Sequence, residues 1–362
     1  MADSNMVILN VKLDNIFGFR NFEINFSYPK KIVNSIIPEE HLPGRPNFRY
    51  KKAMILMGAN ASGKTTLGKA LFLIFEYLSK NQYPGIMSAL GSDHTKASFS
   101  VDFVVDENTL YRVEGISDSR VVSFHTYSAE IQKNDSYEKT AVRLQPASAS
   151  DVMSRLQYRF AYSDVSPTVT ASELDQEHLL QVMKAVLGTL DPTLQDIAIA
   201  KDLKNSIIIR RKKEDIIIQD GKLLNREALS HGIVEGVDIA LLLAAIMQEN
   251  GRFYYCDEHF SFIQSDIEKR IFGIMLEHLG DYDQLIFTTH NMDLLDLNLP
   301  KHSYAFLRKK PDGTGDYKIS VAYASDYLKR NTDSIRCAVE NNVFSSLPDD
   351  SLLDQLDRGA LK

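Results

Sequence analysis

Cysteine is scarce in this sequence: only Cys256 and Cys337 occur among 362 residues. Two thiols exclude a disulfide scaffold and a cysteine-rich zinc site, and they suit a reducing compartment. Positive charge is also short, with 41 Lys and Arg against 48 Asp and Glu and a formal net charge of -7. A protein that coats nucleic acid carries a basic surplus, so any DNA contact here is expected to be local. No uninterrupted apolar run approaches the roughly 18 residues of a membrane-crossing helix. The opening MADSNMVILNVKL lacks the basic flank and long apolar core of a secretory signal. Heptad arrays, internal repeats and low-complexity stretches are missing too. What is present is ordinary: 44% apolar and 25% charged residues, enough for one large domain or two or three small ones. The expected setting is the cytoplasm, without membrane contact.

Along the chain, Val7, Leu9, Val11 and Leu13, then Phe22, Ile24 and Phe26, alternate with polar residues, predicting two strands with a bend near Asn15–Gly18. Residues 28–50 read as an irregular excursion. Ala53–Met57 is a short buried strand, followed by a helix with Leu67, Ala70, Leu71, Ile74, Phe75 and Leu78 at helical spacing. FSVDFVVD, LYRVEGI, VVSFHTYSAEI and TAVRLQ read as strands, and residues 150–204 as helical. In SELDQEHLLQVMKAVLG, Ser172 is a candidate N-cap and Gly188 a candidate stop. Ile207–Ile209 and Ile216–Ile218 flank the charged turn RRKKED, and Asp220–Gly221 is a hairpin turn. A long apolar helix spans about Gly232 to Gln248. Phe253–Cys256 and Gln284–Thr288 are buried strands joined by a helix, and a last hairpin turns at PDGTG. This alternation predicts an α/β protein. Cys256, Tyr254 and Tyr255 read as core.

The most specific motif is Gly58-Ala59-Asn60-Ala61-Ser62-Gly63-Lys64-Thr65, which fits G-x-x-x-x-G-K-[ST] between a strand and a helix. Its glycines let successive backbone N–H groups point into one concave anion site at a helix N-terminus. Lys64 is expected on the β- and γ-phosphates of a nucleoside triphosphate, and Thr65 on Mg²⁺. Gly58, Asn60, Ser62, Gly63 and Thr66 complete the expected nucleotide cradle.

Two further strand ends carry polar residues. FYYCDE ends in two acids; beside a phosphate loop, Asp257 is expected to hold Mg²⁺ and Glu258 to polarise the attacking water. LIFTTH ends in His290, which a parallel sheet would bring to the same edge, within reach of a γ-phosphate. Leu229-Ser230-His231-Gly232 opens the long apolar helix, where a hydroxyl and free N–H groups make a second anion site.

Phosphate loop, LSHG, apolar-DE and TTH, in that order, resemble the heads of ABC-type ATPases, whose signature is LSGG-like. The resemblance implies an α/β P-loop NTPase with a mixed central sheet, a bilobal head with N-terminal antiparallel strands and a helical lobe. It covers most of the chain as a single head over 1–362. Lobe I is expected over 1–150; the helical lobe, hairpin and signature helix over 151–250; and the acidic strand, histidine strand and C-terminal hairpin over 251–362. NIFGFRNFEINF resembles the opening strand pair of RecF, SMC and OLD-type heads, and by that match Arg20 is a candidate phosphate contact. GANASGKTT and NNVFSSLPDD look most like compact ATPases of bacterial anti-phage systems, the AbiL, RloA and OLD-like group.

Such heads work as head-to-tail dimers, so the resemblance implies that Ser230 and Gly232 contact ATP in trans. It further implies Mg²⁺-dependent ATP hydrolysis in a homodimer or higher homo-oligomer. The sequence departs from the pattern in two places. The Q-loop glutamine is not fixed, with Gln145 and Gln157 as candidates, and HFSFIQ after Glu258 does not match the usual D-loop. The leading expectation is a switch in anti-phage defence that controls a separate nuclease or toxin encoded nearby, since no second cluster of acids marks a nuclease site in this chain. A RecF-like repair ATPase is the alternative, with Arg210-Arg211-Lys212-Lys213 as a local DNA contact. An SMC arm is excluded, because the roughly 165 residues between phosphate loop and signature carry no heptads. A transporter subunit is disfavoured by the opening strand pair.

Overall fold

Apolar-polar alternation puts β1 (Val7–Asp14) and β2 (Phe22–Asn25) into an antiparallel pair, Val11 opposite Ile24 and Leu13 opposite Phe22. The computed structural model describes residues 6–33, 35–80, 96–118, 121–148, 150–162, 169, 171–200, 206–212, 215–219, 222–223, 230–249, 251–313, 315–330 and 332–348. The excursion that follows contains a small hairpin, β3 (His41–Leu42) and β4 (Arg45–Arg49). β5 (Ala53–Met57) leads into α1 (Lys64–Lys80). Three long strands, β6 (Ala97–Val104), β7 (Thr109–Asp118) and β8 (Val121–Glu130), extend the first sheet. With the short β9 (Gln145–Pro146) its order is β2-β1-β6-β7-β8-β9.

TAVRLQ departs from the strand expectation. Ser136 caps a short helix, α2 (Tyr137–Ala141), by accepting from the Lys139 N–H, and only Gln145–Pro146 remain to pair. The stretch read as helical holds the short α3 (Ser150–Met153) and then a strand, β10 (Tyr158–Tyr162). Tyr158 and Phe160 are buried on alternate positions, and aromatic residues at that spacing suit a pleated surface. α4 (Gln176–Leu190) begins after Asp175, whose carboxylate accepts from the His178 N–H at 2.9 Å; Ser172 is not its cap. Gly188 lies inside α4, which ends at Leu190.

β11 (Asp196–Ile199), β12 (Ser206–Arg210), β13 (Asp215–Gln219) and β14 (Lys222–Leu223) form a four-stranded sheet beside α4. The expected turn at Asp220–Gly221 lies outside the described residues. α5 (His231–Gln248) has the length and composition to cross a membrane, but 78% of it is buried within the protein, as befits a core helix. β15 (Phe253–Asp257), α6 (Ser265–Glu277), β16 (Gln284–Thr288), β17 (Tyr304–Pro311) and β18 (Tyr317–Tyr323) follow. Two short helices come last, α7 (Ala324–Tyr327) and α8 (Ile335–Glu340).

The second large sheet has the order β10-β15-β16-β5-β17-β18, parallel except for β18. β5, β15 and β16 are buried along their whole length because both faces of the sheet are covered. Met54, Leu56, Phe253, Tyr255 and Ile286 join the core shared with α1 and the antiparallel sheet. Ile55, Tyr254, Cys256, Leu285 and Phe287 join the core shared with α4, α5 and α6. The carboxyl ends of β5, β15 and β16 therefore emerge together, Asp257 opposite Thr288 and Thr288 opposite Leu56. In open α/β sheets that edge is where ligands bind.

Candidate nucleotide site

The chain leaves β5 at Gly58 and turns tightly before α1. Gly63 has φ +106°, a backbone conformation that a side chain would strain. A Cβ on Gly58 would lie 2.7 Å from both the Leu307 carbonyl oxygen and Ser62 Oγ, so only glycine fits between the loop and β17. Ser62 Oγ is buried and has no partner among the described residues. Lys64, at the first position of α1, is buried; its ammonium donates to the carbonyls of Gly58 (2.8 Å) and Ala59 (3.2 Å). Burial lowers its pKa. Tyr255, on β15, donates its hydroxyl to the Lys64 carbonyl at 2.7 Å and so ties the start of α1 to the acidic strand.

Asp257 is fully buried at the end of β15. Thr288 donates its hydroxyl to Asp257 Oδ1 at 2.8 Å, Thr65 supplies a further hydrogen bond, and Oδ2 has no partner among the described residues. Burial pushes the carboxyl pKa up. An orphaned buried carboxylate oxygen beside the Thr65 hydroxyl suits a hard divalent cation, and Mg²⁺ takes one or two carboxylates plus phosphate oxygens. The donor set therefore fits the expected ion.

Glu258 sits at φ +50°, a conformation that costs energy for a residue with a side chain. Two hydrogen bonds hold it there, from its N–H to Thr288 O (3.2 Å) and to Thr288 Oγ1 (3.0 Å). Its Oε1 receives His290 Nε2 at 2.8 Å and Lys64 Nζ at 3.2 Å. The His290 hydrogen bond, aided by the Lys64 charge, holds the Glu258 carboxyl below the usual range despite partial burial. Lys64, Thr65, Asp257, Glu258 and His290 thus come together from three elements of the sequence.

Ser230 and Gly232 lie at the N-terminus of α5, and Leu229 is outside the described residues. Ser230 is exposed and its hydroxyl makes no capping hydrogen bond. The segment HFSFIQ joins Glu258 to this helix. Phe262 N–H donates to Glu235 Oε2 at 3.0 Å, His259 Nε2 lies 3.2 Å from Asp238 Oδ2, and the Phe262 ring packs against His231. His259 and Asp238 carried no sequence signal, because their pairing spans a helix and a loop. The role of Thr288 was equally hidden, since a threonine at a strand end is commonplace.

Other candidates fall elsewhere. Arg20 is half exposed and pairs with Asp316 at the β17–β18 turn, while the adjacent Phe19 ring packs under Gly63. Gln157 precedes β10 at the opposite end of the sheet from Asp257, where it accepts from Arg252 Nη1 at 2.5 Å. Gln145 is exposed on the outer strand of the antiparallel sheet. In the basic turn, Arg210 and Arg211 face Asp196 (3.9 Å) and Asp191 (3.4 Å), which neutralise part of its charge; Lys213 is outside the described residues.

No protein-family model matches the sequence, and a search of curated proteins finds no match. Solved structures match in fold. An SMC head bound to the C-terminal winged-helix domain of ScpA covers 89% of this chain and 99% of its own, at 15% identity and a TM-score of 0.51. The chain has the fold of an SMC head. A second SMC head, with an extended coiled coil and bound to the C-terminal domain of ScpA derived from Pyrococcus furiosus, covers 90% of this chain and 98% of its own, at 12% identity and a TM-score of 0.52. RecF in complex with ATP overlaps at a TM-score of 0.43 and 9% identity, over 84% of this chain and 97% of its own. In this SMC-head fold the phosphate loop, the acidic pair and His290 share the carboxyl edge of the parallel sheet.

Proposed function

We propose that this chain binds and hydrolyses ATP, and that ATP joins two copies of it. The observation that carries the reading is the convergence of Lys64, Thr65, Asp257, Glu258 and His290 at one sheet edge. Lys64 and the loop N–H groups bind the β- and γ-phosphates. Mg²⁺, held by Thr65 and Asp257, would neutralise charge that develops on the phosphate oxygens. Glu258 accepts a proton from the attacking water, and His290 holds its carboxylate in place.

Ser230, exposed at the N-terminus of α5 with a hydroxyl that makes no capping hydrogen bond, is the group that a second copy presents to the γ-phosphate. ATP then favours the joined state by its extra contacts there, and hydrolysis removes them. The segment from His259 to Gln264 links the two functions of each copy, since it begins beside the general base and touches α5 through His259 and Phe262. The head is read as one bilobal unit over 1–362, with its ATP-dependent joining serving as a switch.

The same reading extends to prokaryotic anti-phage defence, in which the switch controls a separate nuclease or toxin. It is supported by the resemblance of GANASGKTT and NNVFSSLPDD to compact defence ATPases, of which Asp349 and Asp350 lie outside the described residues. The test is sedimentation of Glu258→Gln with and without ATP, where a dimer that accumulates only with ATP is expected. A monomer at saturating ATP refutes the shared site. Mixing Ser230→Arg with Lys64→Ala chains should restore turnover, because each variant supplies the half the other lacks. DNA-stimulated turnover would move the reading to a RecF-like repair ATPase.

A further inference from the structure

α6 offers the sheet edge a single buried carboxylate, Glu268. Among the described residues no cation pairs with it; both oxygens are taken by donors from the segment that carries His290. Thr289 donates its hydroxyl to Oε1 at 2.8 Å, and Asn291 donates its amide to Oε2 at 2.6 Å. These residues are the immediate neighbours of His290 on either side. They are also joined to each other, since the Asn291 N–H donates to Thr289 Oγ1 at 3.0 Å. Asn291 Oδ1 accepts from the Asp293 N–H at 2.9 Å, which fixes the orientation of its amide.

The His290 side chain is itself 42% exposed, and Glu258 is its ion-pair partner. Its direction is therefore set by the backbone beneath it, and that backbone is clamped through Glu268. A carboxylate suits the task because it provides two acceptors and no donor, so it takes a hydroxyl and an amide at once. Glutamine at this position would keep one acceptor and set its amide against that of Asn291. Burial raises the Glu268 pKa while the two hydrogen bonds act against that shift.

We propose that Glu268 is a positioning residue that aims His290 at Glu258 and so sets the rate of ATP hydrolysis without touching the nucleotide. The rate effect rests on the ATPase reading given above; the placement of His290 does not. Glu268→Ala should lower kcat on the order of 10²-fold, the size expected for a catalytic group displaced by about 1 Å. ATP affinity should stay within about twofold, because Lys64 and the phosphate loop are untouched. Glu268→Gln should fall between wild type and alanine, as it keeps the Thr289 bond. Thr289→Val, which removes that donor and keeps the side-chain shape, should repeat the kcat loss and decides the matter if Glu268→Ala does not fold.

A second readout is independent of turnover. In protein labelled with ¹⁵N-histidine, the His290 ring signals, assigned with His290→Gln, should move in Glu268→Ala and in Thr289→Val. Unmoved signals together with wild-type kcat overturn the proposal. If wild type shows no ATP turnover while the ring signals still move, the functional reading fails and the positioning of His290 stands.

Discussion

Replacing Gly68 by alanine places a methyl group where Tyr255 already stands. A Cβ at Gly68 would lie 2.5 Å from Tyr255 Cε1 and 3.0 Å from Cδ1 and Cζ, and the ring has little freedom to yield. Tyr255 is fully buried, stacks on Phe160 at 5.6 Å between centroids, and donates to the Lys64 carbonyl at 2.7 Å. Alanine gains about 0.8–1 kcal/mol in helix propensity. Overpacking costs about 1–3 kcal/mol, and losing the buried tyrosine hydrogen bond costs about 1 kcal/mol more. The balance is a net destabilisation of about 1–3 kcal/mol. Because Gly68 lies one turn beyond Lys64, any retreat of α1 also withdraws the ammonium from the proposed phosphate site. Denaturant unfolding should show a lower midpoint, and an ATP titration should show roughly tenfold weaker binding, about 1.4 kcal/mol. Gly188→Ala supplies the contrast, since none of the described residues lies within 4 Å of a Cβ there. It should stabilise the protein by up to about 1 kcal/mol. A Gly68→Ala protein as stable as Gly188→Ala would refute the packing argument.

Lys64→Met removes a buried ammonium but leaves two carbonyls and the Glu258 carboxylate, all only partly buried, so water and His290 can replace the lost donor. Its unfolding free energy should change by about 1 kcal/mol or less, while calorimetry should show ATP binding weakened by about 10- to 150-fold, the loss of one charge-assisted contact. Asp257→Asn removes a buried charge whose folded pKa is raised, a group whose contribution to stability declines as pH rises through that pKa. The variant should therefore match wild type in acid, exceed it in stability toward neutral pH without Mg²⁺, and lose turnover; equal stability at every pH contradicts this. Glu258 has the opposite sign, since its pKa is held down by His290 and Lys64. Its stabilisation is present above the unfolded carboxyl pKa and is lost as pH falls through the folded one, so Glu258→Gln should flatten the acid limb of the unfolding curve.

Much of the site was legible because its strands are short, apolar and punctuated. Ala53–Met57 and Gln284–Thr288 occur at the bounds read from sequence, and Phe253–Cys256 extends by one residue to Asp257. The phosphate loop needs fixed residue types at fixed spacing, so it stands out from its surroundings. The misreadings have physical causes. β10 lies between helical segments and is a strand because β15 offers it an edge, a partner roughly 95 residues away that no local window contains. Asp175 displaces Ser172 as cap of α4 because the helix starts where a side chain can reach its first free N–H groups. The links between HFSFIQ and α5 were invisible for the same reason as β10. They depend on Glu235 and Asp238 facing a loop that arrives later in the chain.

The placement of β5 also has a consequence for how this protein is made. β5 lies inside the parallel sheet, yet both its neighbours, β16 and β17, are encoded more than 200 residues downstream. At a synthesis rate of about 5–20 residues per second, this apolar segment waits roughly 10–50 s for its partners. During that interval Ala53–Met57 has unpaired edges, and such strands readily recruit other chains. Lys51 and Lys52 stand directly before it. Charged residues flanking a hydrophobic strand act as gatekeepers against aggregation. In the finished fold both lysines are buried and their pKa values fall, that of Lys51 to about 7. The two charges that cost energy in the native state thus guard the nascent chain, and replacing them by methionine should give a protein that is harder to produce in soluble form even where its folded state is as stable.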